Sequence, residues 1–193
     1  FDIKSLKHNS PSYVLLLNEV MKYAYADRSQ YLGDPDYVDV PVNKLISKDY
    51  AENISKKITI DSVTKSDDIK AGMYIDLESD ETTHFSIADK YGNLVSTTYT
   101  LNSSFGSKVV IAKTGILMNN EMDDFSSAPG VPNQFGLLGE KFNEIQPSKR
   151  PLSSMTPTIV FKNNSPFLIM GSPGGSRIIT AVLQNFLNIA EFE

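Results

Sequence analysis

The stretch from Glu81 to Gly106 constrains the fold of this chain more than any other, because it predicts a β-hairpin. Its two strands are expected at residues 83–89 and 94–101, bounded by turn residues. The Gly-Asn pair between them, Gly92 and Asn93, tolerates the positive φ that a tight hairpin turn requires. The sequence therefore predicts a two-stranded antiparallel element in the middle of the chain.

Thr82 stands where the first of these strands begins, directly after an acidic run that ends at Glu81. A threonine hydroxyl is a poor nucleophile at neutral pH and needs a base close by. One available base is the threonine's own α-amine, which becomes free only when the bond before the residue is cut. Thr82 is thus either a catalytic threonine released by self-cleavage or an ordinary strand residue, since threonine is common in strands.

The distribution of charge changes at the same place. Of the acidic and basic residues, residues 1–81 carry ten Lys/Arg against fifteen Asp/Glu, whereas residues 82–193 carry eight of each. All of the net charge of −5 therefore lies before Thr82. The helical pattern also gives way to a strand and turn pattern here, and residues 61–81 have the composition of a solvated connector. Both changes support a functional boundary between residues 81 and 82.

Composition excludes several classes of function. The chain has 193 residues and 40% hydrophobic content, which suits one globular domain with a sizeable core. A basic patch with interleaved aromatic residues is absent, so nucleic acid is not an expected partner. No apolar run reaches the length of a membrane span. The absence of cysteine excludes disulfides, thiol catalysis and cysteine zinc sites.

Helices are predicted before the hairpin. Pro11 is suited to the first turn of a helix capped by Ser10, and this helix should stop before Gly33. A second amphipathic helix is expected after Ser47. These two segments are interpreted as scaffold.

Further strands and a long loop are predicted after the hairpin. Residues 109–111 and 115–119 suggest two short strands, and residues 158–161 and 167–170 suggest a second hairpin. Residues 125–151 have no clear period, and a loop of that length is often a lid or a binding loop.

The segment Gly171–Gly175 lies between a predicted strand and a helix expected at residues 177–190. Glycines let backbone N–H groups approach a ligand closely, and a helix N-terminus adds positive potential. In acyl transfer the bound anion would be the oxyanion of a tetrahedral intermediate. A phosphate loop is the competing functional interpretation, although the lysine of a Walker motif is missing. The purely structural interpretation of this segment is a simple glycine-rich turn.

Five segments of the chain closely resemble γ-glutamyltranspeptidases, and they occur in the same order. They are TTHFS at Thr82–Ser86, TYTLN at Thr98–Asn102, LMNNEMDDF at Leu117–Phe125, KRPLSSMTPT at Lys149–Thr158 and GSPGGSRII at Gly171–Ile179. The resemblance also covers KYAYADRSQYLGDPDYV at residues 22–38, which is similar to the end of the family's large subunit. These enzymes are N-terminal-nucleophile (Ntn) hydrolases, whose precursor splits itself into a large and a small subunit.

The resemblance implies an α+β fold, namely part of the four-layer αββα sandwich of the Ntn hydrolases. Residues 1–81 would be the C-terminal part of the large-subunit region with its acidic connector. Residues 82–193 would be the N-terminal part of the small-subunit catalytic region. The family's chemistry would then fall to Thr82 as the nucleophile, Thr100 as a supporting hydroxyl, and Gly174 and Gly175 as the oxyanion site.

The resemblance also implies a pocket for a γ-glutamyl group. Its residues would be Asp124 for the α-ammonium, Glu121 as its assistant, Asn102, Ser153 and Ser154 for the α-carboxylate, and Phe135 in the lid. Taken alone, Asp124 would sit in a solvated turn. The spacing of Glu121 and Asp124 also fits a metal site, but no further ligand cluster stands nearby, so no metal is expected. His84 is interpreted as structural, because the α-amine is the expected base.

The implied reaction needs no cofactor. The enzyme would attack a γ-glutamyl amide such as glutathione and pass the acyl group to water or to an amino acid or peptide amine. The two subunits of one precursor would be partners, and the expected location is the bacterial periplasm or the cell surface. Two alternatives are an unprocessed, catalytically inert fragment and a related acylase or poly-γ-glutamate hydrolase. Asp124, Ser153 and Ser154 favour a free γ-glutamyl head group over the latter.

Overall fold

The structure, a computed structural model, describes residues 1–69 and 82–192. The α-helices are α1 (Pro11–Tyr31), α2 (Val42–Leu45), α3 (Lys48–Ser55), α4 (Ser66–Ile69) and α5 (Ile178–Phe192). The strands are β1 (Thr82–Ala88), β2 (Leu94–Thr100), β3 (Thr158–Lys162) and β4 (Ser165–Met170). Short 3₁₀ helices lie at Ile3–Ser5, Glu121–Asp124, Lys141–Asn143 and Gly175–Arg177. The α+β class is therefore confirmed.

The described residues form two compact units. The first, called here the helical unit, contains residues 1–69, 124–152 and 187–192. The second, called the hairpin unit, contains residues 82–123 and 153–186. Glu81, and with it the bond proposed to be cut, lies outside the described residues, so the boundary between residues 81 and 82 stays a prediction. The helical unit contains residues from both sides of that boundary.

Helix α1 organises the helical unit and begins as its sequence predicts. The Ser10 hydroxyl accepts a hydrogen bond from the Tyr13 N–H at 3.2 Å, and Pro11 occupies the first turn. The helix ends at Tyr31, before Gly33, as predicted. Tyr13 and Leu16 are buried, and the Tyr13 ring packs edge-on against Phe192 of α5, with centroids 5.3 Å apart. The apolar face of α1 thus forms the core of this unit.

A carboxylate is buried on the same helix. Glu19 has no exposed surface, and its oxygens accept hydrogen bonds from Lys22 Nζ at 2.6 Å and from the Thr64 N–H at 3.3 Å. Lys22 Nζ also donates to the Thr64 carbonyl at 2.9 Å. Burial alone would raise the pKa of Glu19, but the hydrogen bonds from Lys22 and Thr64 outweigh it, so the pKa lies below its ordinary value. These bonds attach the segment after α3 to α1.

The predicted central hairpin is confirmed in the hairpin unit. Strands β1 and β2 pair antiparallel in a register that sets Thr82 opposite Thr100. Asp89 closes the turn by accepting hydrogen bonds from the Tyr91 and Asn93 N–H groups at 2.8 and 2.9 Å. Gly92 has a φ of 87°, as expected, whereas Asn93 does not adopt a positive φ. Hydrogen bonds to the Asp89 side chain, rather than a second residue with positive φ, therefore shape this turn.

The second hairpin, β3 and β4, is also confirmed. Its turn uses Asn163 and Asn164, with φ of 54° and 60°, the combination typical of a type I′ turn. The prediction of two strands at residues 109–111 and 115–119 is wrong, because this segment forms one isolated antiparallel bridge between Val110 and Leu117. Positive φ at Lys108 and Lys113 interrupts the extended backbone on both sides, so no longer ladder forms.

The buried Glu19 gives a prediction for stability. Glu19→Gln keeps the shape but removes the charge that Lys22 and Thr64 satisfy, so the free energy of unfolding should fall by about 2 kcal/mol at pH 7. The pKa of Glu19 is depressed in the folded state, so its contribution is full above about pH 5 and is lost as the pH falls through the folded pKa. Urea unfolding of both proteins from pH 3 to 8 measures this. A difference in the free energy of unfolding between the two proteins that stays constant down to pH 3 would contradict this prediction.

Candidate active site

The start of the central hairpin carries the candidate nucleophile. Thr82 is the first residue of β1, and its direct partner in β2 is Thr100. Directly opposed residues in an antiparallel pair share a face, with Cβ atoms about 4.5–5.5 Å apart. The next two pairs on this face, His84 with Thr98 and Ser86 with Ser96, also carry hydroxyls. The hairpin therefore gathers a row of hydroxyl side chains on the face of Thr82.

His84 is fixed in this row by two of those hydroxyls. Its Nδ1 lies 2.7 Å from Thr98 Oγ1 and its Nε2 lies 3.0 Å from Ser86 Oγ. The ring also covers Gly171, where an added Cβ would lie 2.1 Å from Nδ1. Both ring nitrogens are thus engaged by neighbours, which agrees with a structural role. His84 connects the central hairpin to the start of the glycine turn.

The two hairpins also meet through Ser96 of β2, whose hydroxyl donates to the Met170 carbonyl at 3.0 Å. Met170 ends β4 and is followed by the glycine turn. In that turn Gly174 has a φ of 125° and Gly175 a φ of 52°, values that favour glycine. Gly174 also accepts a hydrogen bond from the Arg177 N–H at 2.9 Å, just before α5 begins. The oxyanion role of Gly174 and Gly175 stays a prediction.

Asn102 lies directly after β2 and is held by its own neighbours. It is buried, has a φ of 77°, and its N–H donates to Thr100 Oγ1 at 2.9 Å. Its side-chain amide donates to the Asn120 carbonyl at 3.2 Å. The Asn120 side chain in turn accepts from the Ser103 N–H and donates to Ser103 Oγ, each at 2.9 Å. Thr100, Asn102 and Asn120 therefore form one hydrogen-bonded group.

Asn120 was not singled out in the sequence. Its position explains why the Asn-Asn pair precedes the acidic residues. Asn119 Oδ1 accepts from the Glu121 N–H at 3.1 Å, the Asn120 side chain bonds Ser103, and the Asn120 backbone carbonyl accepts from Asn102. The pair thereby places Glu121 beside the group that contains Asn102. In the sequence, only the two consecutive asparagines before a short acidic segment indicated this role of Asn120.

Ser153 and Ser154 lie in an extended segment before β3. Ser153 Oγ accepts a hydrogen bond from the Met155 N–H at 3.0 Å, and the Ser154 carbonyl accepts from Thr156 Oγ1 at 3.2 Å. A serine hydroxyl can both donate and accept hydrogen bonds, and a carboxylate requires a donor. The geometry is compatible with the predicted role of these serines, which stays a prediction.

Asp124 belongs to the helical unit and lines a pocket there. Other pocket residues include Arg28, Ser126, Gly139 and Asn143. The cavity volume is about 10 Å³, which is room for no more than a water molecule, so the pocket would not hold a tripeptide by itself. Asn143 Nδ2 donates to the Asp124 carbonyl at 2.7 Å and so fixes the backbone of Asp124.

Arg28 is the cation beside Asp124. It is 9% exposed, and burial lowers its pKa while Tyr25 and Asp124 act in the opposite direction. A guanidinium remains charged under all ordinary conditions. The pocket therefore combines a buried positive charge with the Asp124 carboxylate, a feature that the sequence motif around Arg28 did not reveal.

Phe135 also lies in the helical unit, where it is 9% exposed. Asn133 builds the turn around it, because Asn133 Oδ1 accepts from the Phe135 and Leu137 N–H groups, both at 3.0 Å. The loop at this point is thus compact. The lid role of Phe135 stays a prediction.

The two units divide the candidate residues. The helical unit contains Asp124 and Phe135, and the hairpin unit contains Thr82, Thr100, Asn102, Glu121, Ser153, Ser154, Gly174 and Gly175. Within residues 1–69 and 82–192, no group of three His, Asp or Glu side chains could hold a metal ion. None of the helices in the described part of the chain is both long and apolar enough to cross a bilayer.

Comparison with known proteins identifies relatives whose names agree with one another. The sequence profile named Gamma-glutamyltranspeptidase matches residues 1–193. The chain is 51% identical to the glutathione hydrolase proenzyme of Escherichia coli over 192 residues, which is 100% of this chain and 33% of that protein. It is 48% identical to the glutathione hydrolase proenzyme of Pseudomonas sp., with the same two coverages. The chain thus spans about a third of the length of these relatives.

A solved structure gives the same result. A mutant of the γ-glutamyltranspeptidase of Helicobacter pylori superposes with a TM-score of 0.56 at 60% identity. The match covers 57% of this chain and 59% of that one. The sequence over its whole length, and the fold over the matched 57% of the chain, therefore correspond to the same group of proteins.

The contact between Gly171 and His84 gives a prediction. Gly171→Ala should lower the free energy of unfolding by about 1–3 kcal/mol, because the new methyl group would overlap a ring held by two hydrogen bonds. In a His84→Ala background the same substitution should cost at least about 1 kcal/mol less, because the ring is gone. Urea unfolding of the four proteins measures this double-mutant cycle. Equal costs in both backgrounds would show that the ring does not define the space at Gly171.

Proposed function

The chain belongs to the γ-glutamyltranspeptidase family, and we propose that it is cut before Thr82 and that the mature protein transfers γ-glutamyl groups. The observation that carries the proposal is the place of Thr82, which opens β1 directly opposite Thr100 on a face lined by hydroxyls. A cut there would leave a threonine as the first residue of a strand held in a hairpin. The name proenzyme, which the Escherichia coli and Pseudomonas relatives carry, supports a precursor that is processed.

Self-cleavage would use the hydroxyl of Thr82 as the nucleophile. Thr82 Oγ1 adds to the carbonyl carbon of Glu81, and the bond from that carbon to the Thr82 nitrogen breaks. The nitrogen takes up the hydroxyl proton and becomes a free amine, while Glu81 is held as an ester. Water then hydrolyses the ester and restores the hydroxyl. The products are a chain that ends at Glu81 and a chain that begins at Thr82.

The new α-amine would serve as the base for the second reaction. It accepts the proton of the Thr82 hydroxyl while Oγ1 adds to the γ-carbonyl of the donor. Gly174 and Gly175 are positioned in a glycine turn before α5, and their N–H groups would hold the oxyanion. The leaving amine departs with the proton, and a γ-glutamyl ester remains on Thr82. Water or the amine of an amino acid or peptide then releases the γ-glutamyl group.

The donor would be recognised by its charged head group. The Asp124 carboxylate would bind the α-ammonium with help from Glu121, which lies three residues earlier in the same 3₁₀ helix. Asn102, Ser153 and Ser154 would donate hydrogen bonds to the α-carboxylate. Glutathione is the proposed donor because the relatives are named glutathione hydrolases. From the family resemblance we further propose that the protein works in the periplasm or at the cell surface.

Replacement of the nucleophile tests the proposal. Thr82→Ala should leave the precursor uncut and abolish release of a chromogenic γ-glutamyl anilide, because no hydroxyl remains to attack either carbonyl. Denaturing mass spectrometry detects the two pieces, and absorbance measures turnover. The matched control is Thr83→Ala, since the neighbouring threonine faces the other side of the strand. Turnover by an uncut Thr82→Ala protein, or by an uncut wild-type protein, would refute the proposal.

The proposed ammonium site gives a further prediction. Asp124→Asn should lower kcat/KM for a γ-glutamyl anilide about 10- to 100-fold, because a hydrogen bond to a charged group contributes about 1.5–3 kcal/mol. Asp123→Asn is the matched control, since it removes the adjacent carboxylate and should change kcat/KM less than about threefold. The measurement uses protein that mass spectrometry shows to be cut. Similar losses in both variants would contradict the assignment of Asp124.

A further inference from the structure

A short turn after α1 makes a set of contacts that the proposed reaction does not use. This turn, Gly33–Tyr37 with the sequence GDPDY, is called here the GDPDY turn. Gly33 packs so closely on the 142–150 segment that an added Cβ would lie 2.2 Å from the Phe142 carbonyl oxygen. The Tyr37 hydroxyl donates to the Pro147 carbonyl at 2.9 Å. The turn therefore docks on the 142–150 segment at both of its ends.

Asp34 lies at the centre of this contact. Its side chain is 1% exposed, and its carboxylate accepts the Arg150 N–H at 2.8 Å and Arg150 Nε at 3.0 Å. Arg150 Nη2 donates to the other carboxylate oxygen, which also accepts the Asp36 N–H at 3.2 Å. A bidentate pair between arginine and carboxylate is strong and directional. The buried carboxylate thus binds both the backbone and the side chain of Arg150.

In the sequence, Asp34 and Arg150 lie on opposite sides of the proposed cut. Asp34 precedes Thr82, and Arg150 follows it by many residues, so after cleavage the pair would join two separate chains. The same contact fixes the backbone that leads to the predicted carboxylate-binding serines. The Arg150 N–H is bound by Asp34, and the Leu152 N–H donates to Asn143 Oδ1 at 3.0 Å. Ser153 is the next residue along the chain.

We propose that the Asp34–Arg150 pair is a latch between the two product chains and that it positions Ser153 and Ser154 for the α-carboxylate of the donor. This inference rests on the proposed function, because it requires both the cut and the γ-glutamyl pocket. Asp34 is a positioning residue in this arrangement. It touches neither the donor nor Thr82, and it acts through Arg150 and the backbone of residues 150–152.

The turn provides its own control. Asp36 also pairs with Arg150 Nη2, but its side chain is 73% exposed. Exposed ion pairs contribute little because water and salt screen them. Asp36→Asn therefore removes one carboxylate from the same arginine, whose side chain is 64% exposed, and leaves the bonds to the buried Asp34 carboxylate in place. Any effect that is specific to the latch should appear in Asp34→Asn and be absent from Asp36→Asn.

The test compares these variants in the protein expressed at its full natural length. The two pieces of cut Asp34→Asn protein should separate at a lower urea concentration than those of the wild type in size-exclusion chromatography. KM for a γ-glutamyl anilide should rise about tenfold while kcat stays within about threefold, because serine placement affects donor binding more than the chemical step. Competition by L-glutamate should weaken more than competition by 4-aminobutanoate, which lacks the α-carboxylate. A general loss of structure would instead weaken competition by L-glutamate and by 4-aminobutanoate to the same extent.

Arg150→Lys is the second variant, and it decides the outcome where Asp34→Asn fails to fold. Lysine keeps the charge but cannot make the bidentate contact, so KM should rise in the same direction. The proposal is overturned if both variants keep the wild-type KM and their two pieces separate at the same urea concentration as those of the wild type. A wild-type protein that is neither cut nor active refutes the proposed function itself, before any variant is compared. A wild type that is cut and active, beside unaffected variants, refutes only the latch.

Discussion

The pairing register of β1 with β2 is the constraint on which the rest of the hairpin unit depends. Side chains alternate between the two faces of a strand, so a slip of one residue in the pairing would put Thr82 and His84 on the face opposite to the hydroxyls of β2. The register is fixed at the turn by Asp89, which accepts two backbone N–H bonds. It is fixed again by His84, which joins Thr98 to Gly171. A turn residue and a packed ring thus determine where the candidate nucleophile lies.

Two buried carboxylates organise the helical unit in a comparable way. Glu19 holds the segment around Thr64 to α1, and Asp34 holds Arg150 to the turn that follows α1. A buried charge is tolerated only when its hydrogen-bonding capacity is satisfied, so each carboxylate specifies its neighbours. For Asp34 the bonds from Arg150 keep the carboxyl pKa well below its ordinary range. These contacts join segments that are distant in sequence.

Local patterns predicted the regular elements well. The cap at Ser10, the end of α1 before Gly33 and both hairpins follow from residues that act on their immediate neighbours. The strands expected around Val110 and Leu117 failed because strand length depends on a partner, and positive φ at two lysines limits this pairing to one bridge. Asn120 and Arg28 were missed for a related reason, since an amide and an arginine gain their roles from groups far along the chain.

The sequence by itself determined the family, the α+β class and the candidate residues, because motif order and local propensity are written along the chain. Only the tertiary structure decided that Thr82 faces Thr100, that Asn102 is held by Asn120 and that Asp34 binds Arg150. Such contacts depend on which buried polar groups meet after the chain has folded. Satisfying their hydrogen bonds is a property of the packed molecule, and a linear pattern does not encode it directly.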